Sequence, residues 1–447
     1  MVAASPPAPA VTAIRGPVLT FTGDPFAAGS QATARHEPDA IIVLADGKIA
    51  RVGPAAEIAP LLSPGTDVVD YGRDALIMPG FIDCHVHYPQ TQIIGSYGRQ
   101  LLDWLTKYTF VAEQQFAEPA HAEAVAAGYL KENLRNGITT ACVYCTVHPH
   151  SADRLFAAAE RLDMRLLAGK VMMDRNAPAA LTDTAQGSYD ESKALIGKWH
   201  GRGRLGYAIT PRYPGSSTPD QLALAGALRA EFPDCHLQSH LSENRREIAW
   251  MAELFPARKN YLDIFDHYGL LGPRTIYGHG IHLDDGELQR MAATGSAIAH
   301  CPTSNLFLGS GCFDMARTTK AGVRVGLATD LGAGTTFSVL GTLGEAYKVG
   351  QLGGQALSPW QAFYLATRGS ARALYLDDRI GSIAEGMEAD LVVLDLRSTP
   401  IIDFRMRHAS DLAEALFIQM TMGDDRAVQA TYVAGRCAYR RPALAFG

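Results

Sequence analysis

The chain has 447 residues, 47% hydrophobic and 19% charged, which is ordinary for globular proteins and sufficient for a large core or several domains. Its 40 basic and 46 acidic residues give a net charge of -6, which argues against nucleic-acid binding but leaves a free nucleobase open as a ligand. No apolar run reaches the length of a membrane helix, so we expect no membrane association.

Both ends of the chain carry β-strand patterns. Residues 1–10 are rich in Ala and Pro and predict a disordered tail instead of a signal peptide. Apolar strand-like runs follow, with a hairpin signal at Asp46-Gly47, and residues 427–439 show a second hairpin pattern. Because chain ends often meet at the surface, we expect residues 11–77 and 381–447 to form one small β-sandwich domain.

The middle of the chain, residues 78–380, alternates strands with helices. Helix signals include Asn136-Gly137 as a stop and Thr218-Pro219 as a start. The alternation predicts an α/β fold, a (β/α)8 TIM barrel, and a doubly wound sheet is the less favoured alternative. The predicted strands are Leu76–His87, Ile138–Tyr144, Arg165–Met173, Leu205–Pro211, Cys235–Leu241, Thr275–His279, Ser296–His300 and Val323–Thr329.

The seven cysteines are irregularly spaced, and most lie in apolar strand-like runs. This usage predicts reduced thiols and a cytoplasmic protein. Cys142 and Cys145 share one predicted strand without a second half-site, so we do not expect a redox or zinc role for them.

Polar residues stand at the C-terminal ends of most predicted strands, where barrel enzymes carry their active sites. His85 and His87 are two residues apart on the first strand, so their side chains point to the same face. A single such histidine is more often a hydrogen-bonded core residue, but the recurrence at successive strands predicts a metal centre. The later strands end in Arg212 and Tyr213, His240 and Glu243, His279, His300 and Asn305, and Asp330.

The expected metal ligands are His85, His87, His240 and Asp330. Three imidazoles and one carboxylate suit a single Zn²⁺ per subunit, and Fe²⁺ accepts the same set. Such a metal lowers the pKa of a bound water to roughly 7. A binuclear site is not expected, because the fourth strand lacks a lysine that could bridge two metals; Lys170 belongs to the third.

Further residues suit the handling of a substrate. Glu243, three positions after His240, can act as a proton shuttle, although a glutamate is also typical of a first helical turn. Arg212 can donate paired hydrogen bonds, and Gln90 can offer a donor and an acceptor to a heterocycle edge. Tyr213 can supply a flat wall. The long segment after Gln90, up to residue 118, is predicted to cover the site.

These residues lie in motifs that resemble those of the amidohydrolase superfamily. The general motifs are Pro79-Gly-Phe-Ile-Asp-Cys-His-Val-His87, Ser239-His240-x-x-Glu243, Gly278-His279-Gly, His300-Cys-Pro-x-Ser-Asn305 and Thr329-Asp330. A second set resembles the branch of that superfamily whose members deaminate guanine. These motifs are Tyr88-Pro-Gln90, Leu101-Leu-Asp-Trp-Leu-Thr-Lys-Tyr-Thr-Phe110, Gly169-Lys-Val-Met-Met-Asp174, Thr210-Pro-Arg212-Tyr213 and Ser239-His-Leu-Ser-Glu-Asn-Arg245.

The resemblance implies a zinc-dependent hydrolase that acts on the C–N bond of a cyclic amidine, converting guanine to xanthine and ammonia in purine catabolism. It implies Glu243, His279 and Asp330 as catalytic residues, and a homodimer, the usual state of relatives. The substrate would contact His87, Gln90, Arg212, Tyr213, His240, Glu243 and Asp330. Two alternatives remain: another heterocycle deaminase, acting on 8-oxoguanine or an aminotriazine, and a non-catalytic scaffold, against which the retained metal ligands argue.

Overall fold

The structure, a computed structural model, describes residues 12–27, 32–97 and 101–442, so the predicted tail at residues 1–10 lies outside the described residues. The strands are β1 (Thr12–Phe21), β2 (Ala34–Ala45), β3 (Lys48–Pro54), β4 (Asp67–Asp70), β5 (Ala75–Pro79), β6 (Phe81–His87), β7 (Ile138–Tyr144), β8 (Arg165–Gly169), β9 (Val171–Met172), β10 (Leu205–Pro211), β11 (His236–Leu241), β12 (Thr275–His279), β13 (Ala297–His300), β14 (Arg324–Leu327), β15 (Leu391–Asp395), β16 (Val428–Val433) and β17 (Arg436–Arg440).

The α-helices are α1 (Ala55–Ile58), α2 (Leu101–Trp104), α3 (Phe110–Gln114), α4 (Pro119–Arg135), α5 (Pro149–Leu162), α6 (Ala185–Trp199), α7 (Pro219–Glu231), α8 (Arg245–Leu254), α9 (Tyr261–His267), α10 (Asp285–Thr294), α11 (Pro302–Phe307), α12 (Met315–Lys320), α13 (Val339–Leu352), α14 (Pro359–Tyr364), α15 (Ser370–Ala373), α16 (Pro400–Met406) and α17 (Leu412–Met422). Among the described residues, no helix combines the length and apolarity needed to cross a bilayer.

The predicted barrel is confirmed. Eight parallel strands run in the order β14-β13-β12-β11-β10-β8-β7-β6, and β9 extends the pairing with β10. A main-chain hydrogen bond from Asp330 N to His85 O, 2.9 Å long, joins the two edges into a nearly closed ring. Residues of β7 are all buried and mostly β-branched or apolar, as expected for a parallel strand covered on both faces.

The chain ends form a separate eight-stranded sheet, which confirms the predicted small β domain made from both ends. β15 pairs antiparallel with β5, so the C-terminal segment joins the N-terminal strands. Both predicted hairpins are present, with positive φ at Asp46 and Gly47 and at Ala434 and Gly435, as type I′ turns require. The domain boundaries at 77/78 and 380/381 stay a prediction.

One predicted strand is wrong. The run Leu76–His87 forms two strands, β5 and β6, that belong to different sheets and are separated by Gly80. A Cβ atom at Gly80 would lie 2.2 Å from Thr139 Oγ1, so only glycine fits where the chain crosses between the sheets. The apolar pattern continues through both strands because both are buried, and the pattern therefore conceals the break.

Buried ion pairs join the two sheets at the N-terminal end of the barrel. Arg165, at the start of β8, donates from Nε to Glu388 Oε2 at 2.9 Å, and Arg204 donates from Nη1 to Asp390 Oδ1 at 2.9 Å. Each arginine pairs with a carboxylate from the segment before β15, so the barrel end opposite the candidate site is fixed to the chain-end sheet.

Candidate active site

Three histidines and one aspartate converge at the C-terminal mouth of the barrel. His87 Nε2 lies 3.1 Å from His240 Nε2, and Asp330 Oδ1 lies 3.5 Å from His85 Nε2 and 3.6 Å from His87 Nε2. These separations match the edges of a coordination shell with bonds of about 2.1 Å. The structure therefore brings together all four residues that the sequence analysis selected as metal ligands.

The ionisation of these residues suits a cation. Burial lowers the pKa of His85, His87 and His240, so the imidazoles are neutral. Burial alone would raise the pKa of Asp330, but the adjacent side chain of His85 outweighs burial and holds the pKa below its ordinary value. Both ring nitrogens of His85 and Nδ1 of His87 are buried without a hydrogen-bond partner among the described residues. Neutral nitrogens beside an ionised carboxylate fit a divalent metal.

Neighbouring groups orient the ligands. His240 Nδ1 donates to the main-chain carbonyl of Arg212 at 2.7 Å, which leaves its Nε2 lone pair for a metal. Asp83, two residues before His85, accepts hydrogen bonds from Thr329 N and Oγ1, and burial raises its pKa to about 7. Asp83 thereby ties the strand of His85 to the residue before Asp330. The sequence analysis did not select it, although its spacing of two from His85 was a usable signal.

Lys170 was predicted to belong to the third barrel strand. In the structure it lies directly after that strand, between β8 and β9. Its ammonium group is fully buried and pairs with the carboxylates of Asp183 and Glu191, the latter at 3.3 Å. The lysine is therefore engaged in an ion-pair network of its own and is not a bridging group in the histidine cluster.

The three residues predicted to be catalytic lie next to one another. His279 Nε2 is 3.4 Å from Glu243 Oε2 and 3.9 Å from Asp330 Oδ2, and His279 Nδ1 donates to Asn305 Oδ1 at 2.9 Å. Burial raises the pKa of Glu243 to about 7. Burial would lower the pKa of His279, but the charge of Glu243 outweighs it and raises the pKa. A carboxyl group that titrates near neutrality can both give and take a proton.

The backbone of this region is strained. Ser242, His279 and Asp330 are non-glycine residues with positive φ, at 49°, 72° and 47°. Such conformations cost energy and persist where the surrounding structure imposes them, commonly at functional sites.

A cavity opens above the histidine cluster. Its polar wall contains every residue selected for the site except His85, which lies beside it: His87, Gln90, Arg212, Tyr213, His240, Glu243, His279 and Asp330. Its apolar wall includes Leu101, Trp104 and Leu105 from the segment after β6. That segment, predicted as a cover, forms short helical turns over the cavity. Apolar side chains beside convergent polar groups suit the binding of a heterocycle.

Two buried glutamates were missed by the sequence analysis. Glu113 of α3 accepts hydrogen bonds from Arg212 Nη1 at 2.7 Å and from Gln90 Nε2 at 3.3 Å. Glu247 lines the cavity and accepts a hydrogen bond from Tyr261 Oη at 2.6 Å. The sequence analysis assigned Arg212 and Gln90 to a substrate alone, whereas one donor of each is occupied by Glu113. No motif or periodicity marks Glu113, which is one polar residue of a short helix.

The chain matches the model of the amidohydrolase family over residues 76–438. It is 48% identical to the guanine deaminase of Escherichia coli K12 over 407 residues, covering 91% of this chain and 92% of that protein. The guanine deaminase of Mus musculus is 34% identical over 383 residues, or 83% of this chain and 84% of that protein.

Solved structures agree with these relatives. The E. coli guanine deaminase structure has a TM-score of 0.95 at 46% identity, covering 96% of this chain and 100% of that one. The guanine deaminase of C. acetobutylicum, with guanine bound in its active site, has a TM-score of 0.86 at 29% identity, covering 96% and 100%.

Proposed function

The chain belongs to the amidohydrolase family, within its guanine deaminase branch, and on that basis we propose that it hydrolyses guanine to xanthine and ammonia. The observation that carries the proposal is the high identity to guanine deaminases over nearly the whole chain. It is supported by one cavity that His87, His240, Gln90 and Arg212 line together. The protein is thus an aminohydrolase of cyclic amidines with a purine base as substrate.

The metal that fits the cluster best is zinc, one ion per subunit, held by His85, His87, His240 and Asp330. Zinc prefers neutral imidazole and carboxylate donors, although Fe²⁺ accepts the same set. When bound, the ion supplies Lewis-acid activation of a water molecule at neutral pH. The orientation of His240 by the carbonyl of Arg212 supports this ligand set.

The chain's own residues move the protons. Water adds to C2 of guanine, and Asp330 accepts the proton that the water loses. Glu243, with a pKa of about 7, gives its proton to the neighbouring ring nitrogen, then takes the remaining proton of the added hydroxyl and delivers it to the amino group. The C2–N bond breaks, ammonia leaves and the C2 carbonyl forms. Asp330 returns the proton taken from the water to Glu243, so both carboxyl groups regain their starting states. His279 donates a hydrogen bond to the oxygen that develops negative charge, and its bond to Asn305 holds the ring in place.

We assign recognition of guanine to Gln90 and Arg212, which both line the cavity. The remaining donors of Arg212 suit the C6 oxo group, and Gln90 suits the adjacent ring nitrogen. Tyr213 and Trp104 supply flat surfaces. Adenine lacks the oxo group, so it would leave buried polar groups unpaired and be rejected.

We propose that the protein is a homodimer and that it is located in the cytoplasm. Ile401 and Phe404 of α16 are exposed and give apolar surface that a second subunit could cover, which suits a homodimer. All seven cysteines are free thiols, as expected in the reducing cytoplasm. Light scattering on the purified protein would measure the oligomeric state.

Ammonia release tests the activity directly. We expect the protein to deaminate guanine, to lose that activity after chelation and to regain it with zinc. Adenine, 8-oxoguanine and the aminotriazine ammeline form the comparison panel. Turnover of only another ring would replace guanine by that substrate and retain the hydrolytic site. A folded protein that purifies without stoichiometric metal and turns over no ring would instead support a scaffold.

A further inference from the structure

Glu113 lies behind the cavity wall and contacts the two residues assigned to the substrate edge. Its side chain is 1% exposed, and it is absent from the residues that line the cavity. One carboxylate oxygen accepts from Arg212 Nη1 at 2.7 Å and the other from Gln90 Nε2 at 3.3 Å. A buried carboxylate is costly unless its oxygens are paired, and here each oxygen meets a donor.

The contact with Glu113 sets the direction of the Gln90 amide. A carboxylate is only an acceptor, so it binds the NH₂ end of the amide and turns the oxygen away. The oxygen end lies against Gly332, where an added Cβ atom would come within 2.2 Å of Gln90 Oε1. The amide is therefore held between a carboxylate on one side and bare backbone on the other.

The contact with Glu113 also fixes Arg212 and compensates its charge. The Arg212 carbonyl accepts from His240 N at 3.1 Å and from His240 Nδ1 at 2.7 Å. Its main chain thus orients a metal ligand while its side chain is held by Glu113. Because the guanidinium charge is already paired, the cavity edge offers oriented N–H donors without excess positive charge, which suits a neutral oxo-purine.

We propose that Glu113 is a positioning residue that determines specificity for the oxo-bearing purine. It fixes the Gln90 amide and the Arg212 guanidinium before the substrate binds, so that both meet the C6 oxo edge. This inference rests on the proposed function, because it concerns how the same site selects guanine.

The test replaces Glu113 by Gln, which keeps the side-chain size but turns one acceptor into a donor that opposes another donor. Glu118→Gln is the matched control, because Glu118 is exposed on the same segment and makes no side-chain cap for α4. Steady-state kinetics with guanine are combined with competitive inhibition by 2-aminopurine, which retains the 2-amino group but lacks the oxo group.

In the E113Q variant, we expect the KM for guanine to rise at least about tenfold, since oriented donors are lost, while the inhibition constant of 2-aminopurine changes less than about threefold. Metal content stays at the wild-type level, and E118Q matches the wild type. A merely structural role would weaken both ligands equally. If E113Q does not fold, Glu113→Asp retains the charge one methylene further back and is expected to show the same selective loss.

The outcomes separate the inference from the proposed function. If the wild type turns over guanine but E113Q weakens the binding of guanine and 2-aminopurine equally, or weakens neither, the proposed role of Glu113 is overturned and the proposed function stands. Failure of the metal-loaded wild type to turn over guanine overturns the proposed function and this inference together.

Discussion

The two histidines of β11 stand at opposite ends of one strand and have different surroundings. His236, at the barrel floor, donates from Nε2 to Leu374 O at 2.7 Å and packs as a core residue. His240, at the mouth, directs Nδ1 to a carbonyl and leaves Nε2 3.1 Å from His87 Nε2. Burial lowers the pKa of both imidazoles. Residue type and the direction of the pKa shift are therefore the same for both histidines. What distinguishes His240 is that its Nε2 converges with the ring nitrogen of another histidine.

The largest expected effect comes from the histidine at the mouth. His240→Asn should abolish stoichiometric metal binding and reduce kcat/KM for guanine by at least ~10³-fold, because it removes one ligand and the activation of water with it. Elemental analysis measures the metal content, and ammonia release measures kcat/KM. The His236→Gln variant of the same strand is the control and should retain metal and activity. A metal-loaded, active H240N protein would remove the distinction between the two histidines.

A second prediction separates proton transfer from metal binding within the mouth. Glu243→Gln should lower kcat by ~10²–10⁴-fold, the usual contribution of a general acid–base group, while metal content stays unchanged. The control is Glu253→Gln, an exposed position of α8. Loss of metal in E243Q would mean that Glu243 supports the cluster itself, and unchanged kcat would remove it from the reaction.

The site residues at the ends of barrel strands could be predicted from the sequence, whereas Glu113 could not. His85 and His240 lie near the C-terminal ends of β6 and β11, and Asp330 follows β14. Because the alternating pattern fixes the order and direction of these strands, the three side chains had to meet at one end of the barrel. Glu113 follows a π-helical turn at Leu105–Thr109. The direction of such an irregular segment depends on tertiary packing, here of Trp104 against Leu308 and neighbours, which no local pattern specifies.

In the fold, too, features with a local sequence signal were predicted, and features that depend on tertiary contacts were missed. The barrel and both hairpins were predicted because periodicity and Asp-Gly or Ala-Gly turns are local signals. The crossing at Gly80 was missed because the residues before and after it are all buried, in two different sheets. Asp83 was missed for another reason: its partner Thr329 is distant in the chain, and only closure of the barrel brings them together.

The smallest effect, at the barrel floor, is on stability alone. Burial lowers the pKa of His236 to about 4 from an ordinary 6.5, so the folded protein keeps it neutral where the unfolded chain takes up a proton. Its contribution to the free energy of unfolding is therefore complete above pH 6.5 and is lost as the pH falls towards 4, by about 3 kcal/mol at about 1.4 kcal/mol per pH unit. His236→Gln places an amide donor near Leu374 O but cannot titrate.

Denaturant unfolding at pH 7, 5.5 and 4.5, with matched metal content, should show a smaller loss of stability on acidification in H236Q than in the wild type, with guanine turnover at pH 7 unchanged. Other buried groups, such as His300 with its pKa lowered to about 3 by burial, are common to both proteins and cancel in the comparison. Equal acid sensitivity would mean that His236 is already protonated, or solvated, in the folded barrel. The two histidines of β11 would then also differ in ionisation, so the convergence of neighbouring donors would not by itself distinguish His240 from His236.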